Sequence, residues 1–148
     1  MDLAYLTGQR PADVLRMDET HVRDDMLHIR QGKTGAKLRL SMGLSLPEVL
    51  ARIRERKRGY KIYNTRLVVN EHGRPIGVHA IRVRWKAACK AAGVEGYQFR
   101  DLRAKAATDK AETTGDIRQA QKQLGHAKVT MTETYTRNRR GDKVKQTR

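Results

Sequence analysis

Leu124 to Tyr135 reads Leu-Gly-His-Ala-Lys-Val-Thr-Met-Thr-Glu-Thr-Tyr, which sets an imidazole at a turn one short helix before a phenol. Gly125 follows an amphipathic pattern from Asp116 to Leu124, and a glycine there can take the left-handed conformation that closes a helix. Lys128 to Tyr135 predicts a short helix with Met131 and Tyr135 on one face, because residues i and i+4 align. A phenol beside cations can act as a nucleophile, but tyrosine is a weak one near pH 7 until something activates it. On its own the stretch also reads as a core tyrosine after a glycine cap, the commoner use of that residue.

Three further stretches set a cation at a turn or a helix start. Arg10 follows Thr7-Gly8-Gln9, Lys33 sits in Gly32-Lys33-Thr34-Gly35, and Arg100 and Arg103 stand in Phe99-Arg100-Asp101-Leu102-Arg103. Singly, these are ordinary solvated charges or polar turn residues. The composition gives them a context. Lys+Arg 32 against Asp+Glu 16 is a formal net charge of +16, which opposes compactness unless a polyanion is the partner. The basic residues spread along the whole chain, as they do on a folded domain with a basic surface. Nucleic acid is the first candidate and an acidic membrane the rival. At 5% aromatic residues, base-stacking platforms give way to phosphate contact. Cys89 is the only cysteine, so neither an intrachain disulfide nor a cysteine-based zinc site is expected, and a reducing cytoplasm fits. The five histidines lack metal-ligand spacing, no apolar run approaches the ~20 residues of a membrane span, and no signal-peptide pattern is present.

The elements that must position these groups follow from periodicity. Residues 3–6 look like the end of a helix, and Pro11 suits the first position of the next, which continues from Ala12 to Met17 with Val14 and Leu15 facing the core. Thr20 to Met42 alternates polar and apolar around Asp24-Asp25 and Lys33-Thr34-Gly35, which predicts a small antiparallel sheet with two tight turns. A helix opens at Ser45 and closes at Gly59, and 57–65 is the expected exposed connection. Leu67-Val68-Val69 is a short apolar run before a loop. Val78 to Ala92 is amphipathic, with Ile81, Val83, Trp85 and Ala88 available for burial, and another helix runs from Arg100 to about Lys110. The basic tail after Tyr135, with Val144 its single apolar residue, is expected to be mobile.

The ordered series of arginine, hairpin lysine, Arg-x-x-Arg, Gly-His and tyrosine resembles the catalytic domain of the tyrosine recombinases, the phage integrase family. Thr-Gly-x-Arg with an acid three residues on is matched by Arg10 and Asp13, and the hairpin lysine by Lys33. His-x-x-Arg with an acid after its first residue is matched by Asp101 and Arg103, and Leu-Gly-His before a tyrosine by Leu124, Gly125, His126 and Tyr135. The resemblance covers nearly the whole chain, and the combination is far more specific than any one motif. Arg100 departs from it, standing where the family most often has histidine. The resemblance implies an α+β fold, mostly helical with a small three-stranded antiparallel sheet near the N-terminus. Residues 1–148 are expected to be a catalytic domain truncated at its N-terminus, without the helical domain that usually precedes it and grips the DNA core site.

The resemblance also implies a chemistry. Tyr135 is the nucleophile that attacks a phosphodiester, giving a covalent 3′-phosphotyrosyl link and a free 5′-hydroxyl. Another strand's hydroxyl reverses the step, so neither ATP nor metal is required and no cofactor is expected. Arg10 and Arg103 suit bidentate contact with the non-bridging oxygens, where charge builds in the transition state. His126 can donate to the same phosphate, and Lys33 suits the role of acid to the departing oxygen. Asp13 and Asp101 are expected to orient these groups. Arg100 supplies charge but cannot accept a proton. Arg52, Arg56, Arg82, Arg84 and Lys86 are candidates for backbone contacts. The implied partner is double-stranded DNA, with a tetramer on DNA at full length and no membrane, in the cytoplasm of a bacterial or phage-infected cell. Type IB topoisomerases share the chemistry, but the short hairpin and the Leu-Gly-His spacing look more like an integrase. The reading from another class is a non-catalytic DNA-binding remnant, and covalent capture of DNA separates it from an enzyme.

Overall fold

The structure, a computed structural model, describes residues 1–137; the tail expected to be mobile lies outside the described residues beyond that point. Helix α1 spans Asp2–Thr7 and ends at Gly8, whose φ of 64° turns the chain so that Pro11 can open α2, Pro11–Val14. The chain leaves α2 sooner than the expected Met17: the N–H groups of Arg16 and Met17 bond only three residues back, to the Asp13 and Val14 carbonyls, and the Met17 carbonyl accepts the Leu67 N–H. Strands β1 (Val22–Arg23), β2 (Met26–Arg30) and β3 (Lys37–Ser41) form an antiparallel sheet in the order β1-β2-β3. The chain then forms α3 (Ser45–Gly59), α4 (Val78–Ala91), α5 (Asp101–Thr114), α6 (Ile117–Leu124) and α7 (Val129–Arg137). This is the mostly helical α+β arrangement with one small sheet near the start that the sequence predicts.

Two packed groups carry the fold. Leu27 and Ile29 point from the sheet into a core with Leu3, Val14, Met17, Leu46, Leu50, Leu67 and Phe99. Alternation along β2 puts every second residue there. The second group joins α5 to α6 through small residues, Ala107 and Ala120, with Leu124. Alanine lets those helices approach closely, and fully burying Leu124 contributes about 1.5–3 kcal/mol. The result holds the end of α6 against the α1–α2 corner.

Two further expectations fail. Val83 is 55% exposed: the buried stripe of α4 runs Ile81, Trp85, Ala88 and Cys89, and a residue two positions from Ile81 points away from it. Lys57 belongs to the helix and not to the exposed connection; it is buried in the last turn of α3 and bonded to Glu19.

Candidate active site

Arg103 lies in the first turn of α5, 3% exposed, and its guanidinium reaches two other parts of the chain. Nη1 donates to the Gly8 carbonyl at 2.7 Å and Nη2 to the Leu124 carbonyl at 2.8 Å. Those two carbonyls sit at the ends of α1 and α6. Helix C-termini leave carbonyls unsatisfied and carry partial negative charge, so a buried cation is well placed between them. The same Nη2 contacts His126 Nε2 at 3.1 Å. Arginine offers only donors, so Nε2 must accept, and the ring proton sits on Nδ1, which donates to Thr132 Oγ1 at 3.0 Å. Burial, then the charges of Arg103 and Arg10, push the His126 imidazolium down to about 4. The ring is therefore neutral at pH 7. Arg103 itself is lowered to about 10, first by burial and then by Arg10, while Tyr135 and Asp13 work the other way; it stays charged.

Tyr135, in the second turn of α7, sets its ring 5.4 Å from that of His126, tilted by 45°. It is 38% exposed, so part of the side chain is open to solvent. Arg10 joins the group from the N-terminal side of α2, its Nη1 donating to Gln31 Oε1 at 2.9 Å. Arg10, Arg103, His126 and Tyr135 thus come together from four segments.

The other predicted residues are exposed or bonded elsewhere. Lys33 is exposed in the β2–β3 turn. Asp13 holds that turn in place of a site arginine: Oδ1 accepts the Gly32 N–H at 2.8 Å and pairs with Arg16 at 2.6 Å. Its Oδ2 and Arg103 Nε are buried without a hydrogen-bond partner among the described residues. Asp101 accepts the Gln98 N–H at 2.8 Å and so shapes the start of α5. Arg100, at the cap of α5, is exposed and lines a cleft with Pro11, Trp85 and Phe99. Of the expected backbone contacts, Arg52 pairs with Asp2, Arg56 donates to the Val69 carbonyl, and Arg84 lies 3.8 Å from Glu71.

Sequence reasoning missed Gln31, Gln9 and Thr132. Gln31 is 1% exposed and ties the site together. Its Oε1 accepts from Arg10 and from Thr34 Oγ1, and its Nε2 donates to Gln9 Oε1 and the Leu124 carbonyl, both at 2.7 Å. Gln9 in turn donates to the Gln123 carbonyl. The signal was present: Gln31 continues the inward register of Leu27 and Ile29, and a polar residue on a core face needs buried partners. Gly125 makes room for it. Its φ is 64°, and a Cβ there would stand 2.8 Å from Gln31 Nε2. Among the described residues no cluster of three metal-ligating side chains is formed, and no helix is long and apolar enough to cross a membrane.

Comparison with known proteins places this arrangement. The model of the phage integrase family matches residues 1–141. The integrase of Escherichia phage HK022 is 32% identical over 97% of this chain and 42% of its own length. The tyrosine recombinase XerD of Staphylococcus saprophyticus is 29% identical over 92% of this chain and 48% of its own. The chain therefore spans less than half the length of these relatives. Among solved structures, a lambda integrase tetramer bound to a Holliday junction superposes with a TM-score of 0.85, at 25% identity, over 97% of this chain and 43% of that one.

Proposed function

Because this chain belongs to the phage integrase family of tyrosine recombinases, we propose that residues 1–148 are the catalytic domain of a site-specific recombinase acting on duplex DNA. It cleaves and rejoins strands through a covalent 3′-phosphotyrosyl link, and at full length it works as a tetramer on its DNA. The observation that carries the reading is the convergence of two guanidiniums and an imidazole beside a partly exposed tyrosine.

The steps follow from these groups. A phosphodiester enters beside Arg10 and Arg103, whose charges meet its non-bridging oxygens. The Tyr135 oxygen attacks phosphorus as the bond to the 5′-oxygen breaks, and Lys33 gives that oxygen its proton. As Arg103 Nη2 turns from the imidazole to the phosphate, Nε2 of neutral His126 is freed to take the phenolic proton, and the imidazolium N–H then donates a hydrogen bond to the phosphate. The phosphate's own negative charge opposes the arginines and raises the affinity of His126 for that proton. Religation runs the same steps backwards. The reading requires the exposed Lys33 turn to close on the phosphate once DNA is bound.

A nicked suicide duplex tests this, because the short strand released by cleavage cannot return. The parent chain should yield a protein–DNA adduct that survives a denaturing gel. Tyr135→Phe should yield none while binding DNA as well as the parent, since only the attacking oxygen is lost. An adduct with the Phe variant would mean that another residue is the nucleophile. No adduct from the parent would favour the non-catalytic DNA-binding reading, which the exposed Arg100 at the family's histidine position keeps in view.

A further inference from the structure

We infer that the outer face of the β1–β2–β3 sheet is a phosphate-binding track, which continues the duplex-DNA surface beyond the reacting phosphate. The inference rests on the DNA reading above but uses residues outside the site.

The inner residues of the sheet, Leu27, Ile29, Leu38 and Leu40, face the core. Period two therefore turns Arg23, His28, Arg30, Lys37 and Arg39 outward. The register sets Arg30 directly opposite Lys37 and His28 directly opposite Arg39. Like charges directly opposite destabilise a sheet, so this face costs the isolated fold some stability. Arg16 and Arg66 close over its side, and the whole lines an open cleft of about 1150 Å³. The two acids that line the cleft already have partners. Asp13 is held by Arg16 and the Gly32 N–H, and Asp18 by Thr20 and Thr65. The ion pairs among the described residues involve Arg16, Arg52, Arg54, Lys57, Arg58, His72, Arg84 and Lys105, and not Arg23, Arg30, Lys37 or Arg39.

A second observation points to a bound anion. His28 Nε2 is buried in this basic surround without a hydrogen-bond partner among the described residues. Such an atom is costly unless something satisfies it, and a phosphate oxygen accepts from an imidazole N–H.

The geometry favours the backbone of a duplex. Residues two apart on a strand are ~7 Å apart, so Arg30 with His28, and Lys37 with Arg39, form rows that can follow a phosphate chain. The outward residues of the sheet include no phenylalanine, tyrosine or tryptophan to make a stacking platform for unpaired bases. The cleft also takes in Gln31, Gly32 and Gly35 of the turn that bears Lys33. A strand on this face therefore runs on from the site and does not form a separate one.

The test uses the Tyr135→Phe chain, so that binding is read without cleavage. Affinity for a dye-labelled duplex is measured by anisotropy over a range of salt. The triple change Arg30→Gln, Lys37→Gln and Arg39→Gln should weaken binding at least about tenfold near 0.1 M salt. It should also lower the slope of log affinity on log salt by roughly 2–3, close to 0.9 for each phosphate no longer neutralised. Its urea midpoint should equal or exceed the parent's, because the like-charge pairing is gone. Charge-matched changes at Arg58, Lys61 and Lys110, all to Gln, should alter the slope much less. The single Lys37→Gln, on an exposed edge strand, should remove roughly 0.9 from the slope by itself and covers the case in which the triple variant does not fold. An unchanged slope, or an equal fall in the charge-matched control, overturns the track. Binding decides this whatever the suicide duplex shows, so a chain that binds but never forms an adduct sinks the cleavage reading alone.

Discussion

Arg103 Nη2 meets His126 Nε2 at 3.1 Å, with the imidazole on the accepting side. One buried cation thereby sets the tautomer of the ring beside the phenol, and it does so from helix α5 while the ring lies beyond helix α6. The consequences of that pairing can be measured.

The first is a pH dependence of stability. His126 binds a proton near pH 4 when folded, against about 6.5 when unfolded. Between those values the unfolded chain holds more protons, so stability rises with pH. The contribution is complete above about pH 6.5 and is lost as pH falls toward 4, up to about 3 kcal/mol in all. Urea unfolding of the parent and His126→Asn at several values between about pH 4.5 and 7.5 isolates it. The gap between the two proteins should close on acidification; a constant gap would show that the imidazole is not held neutral.

Arg103→Lys keeps the charge and loses the fork. One ammonium cannot hold the Gly8 and Leu124 carbonyls and His126 Nε2 in the directions that a planar guanidinium does. The variant should be less stable by about 1–3 kcal/mol. Its single-turnover cleavage of the suicide duplex should fall about 100-fold or more, because a fixed donor at the developing charge is lost. Parent-like cleavage by a folded Lys variant would argue that charge alone suffices.

Arg100 separates charge from proton transfer. It is exposed at the cap of α5, whereas Arg103 three residues on is buried. If its charge is what matters, Arg100→His should change the cleavage rate little, and Arg100→Ala should lower it. A large gain for the His variant, with a new limb near its pKa of ~6.5, would sink that account. The rate is read between about pH 5.5 and 8.5 with DNA saturating, so that binding does not intrude. An Ala variant as fast as the parent would remove Arg100 from the chemistry.

Gln31→Leu is close in volume but leaves Arg10 Nη1 and Gln9 Oε1 without their partner and takes one of its two donors from the Leu124 carbonyl, which keeps Arg103. Stability should fall by about 1–3 kcal/mol. Cleavage should fall by about 10–100-fold with saturating DNA, since a guanidinium displaced by ~1 Å loses much of its effect. Gly125→Ala attacks the same network from the other side, through its φ of 64° and the 2.8 Å approach to Gln31, and should also cost about 1–3 kcal/mol. Undiminished cleavage by a folded Gln31→Leu chain would show that Arg10 needs no such support.

The sequence by itself determined what is local. Helix limits near Asp116, Gly125 and Pro11, the alternation of the sheet, and the order of Arg10, Lys33, Arg103, His126 and Tyr135 are all set by backbone preferences or spacing within a few residues. Even the inward register of Gln31 was legible, though its partners were not. The tertiary structure alone decided which groups meet. Arg103 finds a carbonyl 95 residues away at Gly8, Gln31 one 93 residues away at Leu124, and Gln9 one 114 residues away at Gln123. It also gave Asp13 to the lysine turn, left Arg100 at the surface, and set Arg30 against Lys37. Residue type says that a guanidinium or an amide must be satisfied when buried. Which carbonyl satisfies it depends on how α5 and α6 pack against α1 through residues such as Ala107, Ala120 and Leu124, and that packing is a property of the whole chain.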